Sequence, residues 1–271
     1  RLGLILILAL GTLMAIRAAG PDGDAPNKYP AARLGDTVDD YHGVKVADPY
    51  RWLEDPDSAE TRAWIEAENK ITFGYLEGIP ARPKIRERLT RLWNYERFGI
   101  PFREGGRYFY TRNDGLQNQS VLYTADSLDA APRVLIDPNT WSADGTVALA
   151  GYAVSPDGKW IAYGVSSGGS DWTEWRVRDV VTGNDLPDLV QWVKFSGASW
   201  TKDGAGFFYS RYDAPDEKSK LQSQNYFQKL YYHKRGTLQS ADVLVYERKD
   251  QKEWGFGGSV TEDGRFLGIS V

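Results

Sequence analysis

The spacing of hydrophobic positions changes twice along this chain, and each change marks a different kind of element. Leu2 to Ile16 is an almost unbroken apolar run. Between Asp57 and Asn94 the apolar residues return with a helical period: Trp64, Ala67, Ile71 and Tyr75 share one face, then Ile85, Leu89, Leu92 and Trp93 another. From Tyr95 onward apolar and polar residues alternate, the spacing of half-buried strands.

The first run has the length of a secretory h-region, and Ala18, Ala19 and Gly20 supply small residues near a cleavage point. Residues 1–20 are read as a signal peptide, which implies export, in a bacterium to the periplasm. The other reading is a membrane anchor, but the run is shorter than the roughly 20 residues a spanning helix needs. Arg1 in place of Met implies that the natural start lies further upstream. A polar linker, residues 21–28, follows. The first helix is expected to be capped by Asp57 with Glu60 reaching back, and to stop at Gly78 and Pro80. The second is expected to start near Pro83 and to carry Ile85, Leu89, Leu92 and Trp93 inward. Residues 29–94 thus form a helical segment with two apolar faces to cover.

Within the alternating region one motif recurs: "REGGRYFYT" (103–111), "SPDGKWIAY" (155–163), "TKDGAGFFY" (201–209) and "TEDGRFLGI" (261–269). Each is a turn feeding a strand, with glycine where the backbone needs positive φ and Ser or Thr offering local hydrogen bonds. Further strands lie between, so each unit of roughly 50 residues holds about four strands, the pattern of a propeller blade. An open sandwich is the alternative, less easily reconciled with so regular a recurrence. Residues 95–271 have room for about three and a half blades, whereas closed propellers need at least about four. The expected fold class is therefore mostly β: a partial propeller preceded by a helical segment, cut at both ends.

Composition narrows the function without naming it. With 10 Trp, 16 Tyr, 10 Phe and 28 Gly the chain suits sheet and tight turns. A net charge of −4 and the lack of a long basic block argue against nucleic acid. There is no cysteine, so no disulfide, and the only histidines are His42 and His233, too few for an ordinary zinc site. His42, before a glycine, is read as making a local structural hydrogen bond, and His233, in the alternating "KLYYHKR", as a sheet-surface residue. The serine nucleophile of a hydrolase sits in Gly-x-Ser-x-Gly. Gly257-Gly258-Ser259-Val260-Thr261 and Gly168-Gly169-Ser170-Asp171-Trp172 both lack the last glycine and are read as hairpin glycines. Val260 also breaks a dinucleotide fingerprint after Gly255 and Gly257. No cofactor or metal is expected, and no catalytic residue.

The stretch "DDYHGVKVADPYRWLEDPDS", from Asp39 to Ser58, closely resembles the N-terminal signature of the prolyl oligopeptidase family of serine peptidases. The resemblance continues through "YFYTRNDGLQNQSVLY", "GYAVSPDGKWIAYGVSSGGSDW", "LPDLVQWVKFSGASWTKDGAGFFY" and "QKLYYHKRGTLQSADVLVYE", and so spans residues 29–271. It implies an α/β-hydrolase domain built from an N-terminal helical segment and a large C-terminal part, with a seven-bladed propeller inserted between them. The triad would lie after the propeller and therefore outside this chain. It implies cleavage of short peptides after proline by a histidine-activated serine with an oxyanion hole, and a propeller that admits peptides and excludes folded proteins. The related oligopeptidases that cleave after basic residues share the Asp-Pro-Tyr-x-Trp-Leu element, though the later motifs resemble the proline-specific branch.

Carried over residue by residue, the resemblance makes Phe195 the lining of an apolar distal subsite and Asp171 the carboxylate that holds a substrate-binding arginine of the catalytic domain. Val245 matches a small pocket residue. The plain structural alternatives are a blade aromatic for Phe195 and a hairpin acid for Asp171. The partners implied are short proline-containing peptides and the protein's own C-terminal domain, with the complete protein a monomer, not bound to a membrane once its leader is cleaved. The competing reading is a non-catalytic periplasmic propeller that binds peptides or proteins, which leaves the Asp39–Asp55 stretch unexplained. Expressed alone, a half-propeller with two bare amphipathic helices is expected to aggregate and to show no peptidase activity. Robust cleavage of a proline-containing reporter by the purified 271-residue chain would refute this.

Overall fold

The computed structural model describes residues 29–215 and 225–271. The expected signal peptide and linker lie outside the described residues. The chain divides into two compact units between Arg91 and Leu92, and each is described by itself. No helix among the described residues is long and apolar enough to cross a membrane.

The first unit opens with an antiparallel hairpin, β1 (Val38–Tyr41) and β2 (Val44–Ala47). Its two-residue turn needs positive φ at both positions. His42 (+55°) and Gly43 (+92°) supply it, while Asp40 Oδ1 accepts from the Gly43 amide at 2.6 Å. His42 is exposed and is there for its backbone, so the expected imidazole hydrogen bond is replaced by a conformational role. Behind the hairpin, in the 3-10 turn Arg51–Glu54, the Arg51 guanidinium bridges Asp39 and Asp48 and ties both strands to the turn. Trp52 Nε1 donates to the Arg33 carbonyl at 2.9 Å, and Thr61 Oγ1 donates to the Trp52 carbonyl at 3.0 Å. The crowded motif is a strap that fixes where the first helix begins.

That helix, α1 (Ala59–Glu77), is capped by Ser58, whose hydroxyl accepts from the Thr61 amide at 3.1 Å. This corrects Asp57 as the cap. Glu60 does not reach back either, because its carboxylate takes a two-point ion pair with Arg33 at 2.7 and 3.1 Å. The second helix is α2 (Arg82–Trp93), with Pro83 in its first turn as expected. Its apolar stripe is not inward: Ile85, Leu89, Leu92 and Trp93 are all exposed, and α2 buries none of its residues. α1 buries only Thr61.

Among the described residues the second unit is one blade of five strands, two of four, and one further strand pair, all antiparallel. The first blade is β3 (Arg97–Phe98) and β4 (Phe102–Glu104) side by side on β5 (Arg107–Asn113), then β6 (Val121–Ala125) and β7 (Arg133–Ile136). The second is β8 (Val147–Val154), β9 (Trp160–Ser167), β10 (Thr173–Asp179) and β11 (Asp185–Val193). The third is β12 (Ser199–Trp200), β13 (Gly206–Arg211), β14 (Lys229–Lys234) and β15 (Val243–Tyr246). A single pair, Val193 with Arg211, joins the second and third blades. The last pair is β16 (Gly257–Val260) with β17 (Leu267–Ser270). Gly257 and Gly258 are therefore strand residues and not hairpin glycines. A Cβ on Gly258 would sit 3.0 Å from Leu230 and 3.2 Å from Phe208, so a side chain there would require both neighbours to shift.

The recurrent motif builds one turn three times. In the second blade Ser155 Oγ donates to Asp157 Oδ1 at 2.6 Å and accepts from the Trp160 amide, and Gly158 alone takes positive φ (+69°). Thr201, Asp203 and Gly204 repeat it in the third blade, and Thr261, Asp263 and Gly264 in the last pair. The first blade uses Gly105 and Gly106 instead, both at positive φ. A Cβ on Gly105 would lie 2.1 Å from the Asp157 carbonyl carbon, so neighbouring turn tips meet backbone to backbone.

The cores lie between blades and not inside them. One joins Phe109, Leu122, Leu135 and Ile136 of the first blade to Ile161, Tyr163 and Val180 of the second. The other joins Trp175, Val177, Val190 and Val193 of the second to Trp200, Phe207 and Tyr209 of the third. His233, expected on a sheet surface, is fully buried in this second seam, with Asp242 Oδ1 2.7 Å from Nδ1 and Asp188 Oδ1 3.0 Å from Nε2. Phe207→Ala is expected to lower stability by about 3–5 kcal/mol, whereas exposed Val181→Ala stays within about 0.5 kcal/mol. Urea unfolding followed by tryptophan fluorescence reads both.

Candidate functional site

The antiparallel order of the second blade sends the ends of β9 and β11 to the same side, so the β9–β10 loop and the β11–β12 connection share one end of the blade. Asp171 lies on the first and Phe195 on the second. Gly168 (+63°) and Gly169 (+72°) turn the first loop, and Ser170 steadies it, its carbonyl accepting from Ser166 Oγ and its hydroxyl accepting from the Trp172 amide. The connection is held from the third blade: buried Gln228 donates through Nε2 to the Lys194 carbonyl at 2.9 Å and accepts through Oε1 from the Phe256 amide at 2.6 Å. Ser196 Oγ accepts from the Ser210 amide at 2.8 Å. Phe256 packs edge-on against Tyr246, the neighbour of half-buried Val245. The three expected site residues therefore sit on segments at this one end, with no hydrogen bond or ion pair between them among the described residues.

What links Asp171 to Phe195 is an aromatic cluster. Trp172 meets Trp192 edge-on at 5.9 Å and Tyr212 at 6.2 Å. The Lys194 ammonium lies over the Trp172 ring at 4.7 Å and over the Phe195 ring at 5.7 Å. Beside it is a cleft of about 210 Å³ lined by Ser170, Trp172, Glu174, Gln191 and Trp192, with Val165 in its wall. The Asp171 carboxylate is exposed and has no hydrogen bond or ion pair among the described residues. Burial pushes the Tyr212 hydroxyl up from its ordinary pKa, so it stays a neutral donor at working pH.

The backbone here is strained. Trp192 (+62°), Phe195 (+56°) and Phe227 (+59°) all take the left-handed region, where a bulky side chain costs roughly 1–2 kcal/mol. Among the described residues, three of the four non-glycine positions with positive φ are thus aromatics near this one end; the fourth is His42 in its hairpin. Phe195 is also 69% exposed, so folding gains little from its ring. An exposed aromatic in a costly conformation is a candidate for function.

Trp172, Trp192, Lys194 and Gln228 were not singled out in the sequence, although the signal is there in "SDWTEW" and "QWVKFS". Gln228 carries no local signal at all, because its partners are 34 and 28 residues away. Among the described residues no group of three or more His, Cys, Asp or Glu could hold a metal ion. Ser170 lies in a loop and Ser259 in β16, neither beside a histidine.

Phe195→Gly is expected to leave unfolding stability within about 1 kcal/mol of the parent. Relief of the left-handed strain offsets the added freedom of glycine in the unfolded chain. A loss of the size seen for a buried aromatic, about 3–5 kcal/mol in the same urea titration, would show that the ring is a packing residue.

Residues 29–271 match the family described as prolyl oligopeptidase, N-terminal β-propeller domain. The prolyl endopeptidase of Elizabethkingia meningoseptica is 42% identical over 244 residues, covering 90% of this chain and 34% of that protein. Prolyl oligopeptidase A of Amanita bisporigera is 37% identical over 277 residues, covering 90% and 36%. Among solved structures, prolyl oligopeptidase B of Galerina marginata, an S577A mutant bound to a 35-residue hydrolysis and macrocyclisation substrate, superposes with a TM-score of 0.77 at 33% identity over 92% of this chain and 37% of that one. A structure from a study of two prolyl endopeptidases and their inter-domain dynamics gives 0.81 at 34% identity, covering 89% and 36%. The chain spans about a third of the length of the curated relatives it matches. With its blades, its strap and this match over nearly its whole length, the chain belongs to the prolyl oligopeptidase family, whose N-terminal propeller domain it carries.

Proposed function

We propose that this chain is the N-terminal portion of an exported serine peptidase that hydrolyses short peptides on the carboxyl side of proline. The serine, acid and histidine of the reaction belong to an α/β-hydrolase part of the protein outside these residues, as do the oxyanion-hole donors that stabilise the tetrahedral intermediate. The strap and helices are the first piece of that hydrolase unit, and the exposed stripe Ile85, Leu89 and Leu92 is the surface it covers. The apolar run from Leu2 supports export to a periplasm.

The propeller's part is to admit extended peptides and exclude folded chains. The observation that carries this is the strained, exposed Phe195 on the connection at the same end of the second blade as the loop that carries unpaired Asp171. Phe195 offers an apolar face to the part of the peptide distal to the scissile bond. Asp171 orients a guanidinium from the catalytic part, which fixes the peptide backbone, and Val245 narrows the same pocket.

In the whole protein, Phe195→Ala is expected to lower kcat/KM about tenfold, through KM, for proline reporters with an apolar residue distal to the proline. Such a loss corresponds to about 1.4 kcal/mol of binding. A minimal reporter lacking that residue should be turned over at the parental rate. Equal losses on both substrates, or none, would remove Phe195 from the subsite.

A further inference from the structure

His233 is the one buried histidine of the chain, and nothing in the proposed reaction uses it. It belongs to β14 of the third blade, and its two ring nitrogens face carboxylates on different blades. Asp188 reaches Nε2 from β11 of the second blade, and Asp242 reaches Nδ1 from the turn before β15. All three side chains are at most 1% exposed. An imidazole between two carboxylate oxygens satisfies both only when both of its nitrogens carry hydrogen, that is, as the cation. Asp188 Oδ1 also accepts from the Gly236 amide at 2.7 Å, and Asp242 Oδ2 accepts from Tyr209 Oη at 2.6 Å. Asp188 Oδ2 is buried with no hydrogen-bond partner, and among the described residues the ion pair of this carboxylate is with His233.

Elsewhere in the seam Arg235, just after β14, lies over the Trp160 ring of the second blade at 3.9 Å, and Arg211 of β13 bears on Tyr209 through its charge. The Gln239 side chain stands in for a strand against Gln191, exchanging two hydrogen bonds of 3.0 Å with its backbone. The Phe207 ring lies tilted against the His233 ring, centroids 5.2 Å apart, and brings no charge. The groups that titrate against His233 are therefore Asp188 from β11, Asp242 from its own blade and, one bond further, Tyr209 from β13.

We propose that Asp188, His233 and Asp242 form a charge clasp across the seam between the second and third blades, which locks the blades together while His233 holds its proton and releases them when it is lost. Losing that proton leaves a buried carboxylate pair facing a neutral ring with one donor too few, the arrangement in which a broken buried ion pair destabilises most.

The pH window follows from the same geometry. Burial by itself would depress the His233 pKa, but the hydrogen bonds to Asp188 and Asp242 outweigh it and raise the value from 6.5 to about 9. A folded-state value above the unfolded one means stabilisation present in full below about pH 6.5 and lost as pH rises through about 9. Tyr209 does not interfere in that window, because burial and then the Asp242 carboxylate push its hydroxyl far above the ordinary tyrosine range.

The test is native-state hydrogen exchange by mass spectrometry on the whole protein between pH 6.5 and 10, corrected for intrinsic rates. Peptides from β11 and β14 should lose at least tenfold in protection across this range, while peptides from β5 and β6 of the first blade keep theirs. His233→Gln, neutral at every pH, should abolish the difference between the two sets. Seam protection that stays level with that of the first blade in the parent overturns the clasp, and this arm decides alone if the variant fails to fold. A seam that loosens with pH as much in His233→Gln as in the parent overturns it too. The readout does not depend on peptidase activity, so failure of the functional reading is distinguishable.

Discussion

A four-stranded blade has two faces and no interior, and this constraint organises the second unit. Both buried clusters are shared between neighbours: Ile161 and Tyr163 of the second blade pack with Phe109 and Leu122 of the first, while Val177 and Val190 pack with Phe207 and Tyr209 of the third. Folding of any blade is therefore association with the next, and the stability of the array resides in its seams. The last strand pair, β16 and β17, adds no residue to either buried cluster.

The seams are not alike. Between the first and second blades, arginines reach across to carbonyls, Arg178 to Leu135 and Arg133 to Val180, around an apolar centre. Between the second and third, the apolar centre is joined to a buried cluster of Asp188, His233, Asp242 and Tyr209. At the other end of the same seam the chain leaves β11 through two strained aromatics and a connection held by Gln228. One seam thus carries both the clasp and the candidate peptide surface.

Much of this was legible in the sequence because turns are local. Ser-x-Asp-Gly and Thr-x-Asp-Gly specify their own hydrogen bonds within a few residues, so the three turns they build could be read in advance. Helix periods were equally clear, but the choice between Asp57 and Ser58 as cap turned on Arg33, which occupies Glu60 from 27 residues away. His233 was misplaced for a deeper reason. Alternation distinguishes inside from outside only when one face of a sheet meets water, and inner blade strands are covered on both faces. In β14 the buried residues are Leu230 and His233, three apart. The partners that make a buried histidine tolerable lie 9 and 45 residues away. At the candidate site the residue types around Phe195 were visible, but the left-handed backbone that displays the ring was not.

The contact of Gly105 with Asp157 and Gly158 bears on how such an array can diverge. At this end the distance between the first two blades is set by the thickness of a peptide unit, with no side chain between them. The turn tips thus impose a backbone limit on how closely these two blades can sit at this end. A single methyl group at position 105 would meet the Asp157–Gly158 peptide at about 2.1 Å, so with any larger residue the two blades could not approach at this tip as they do.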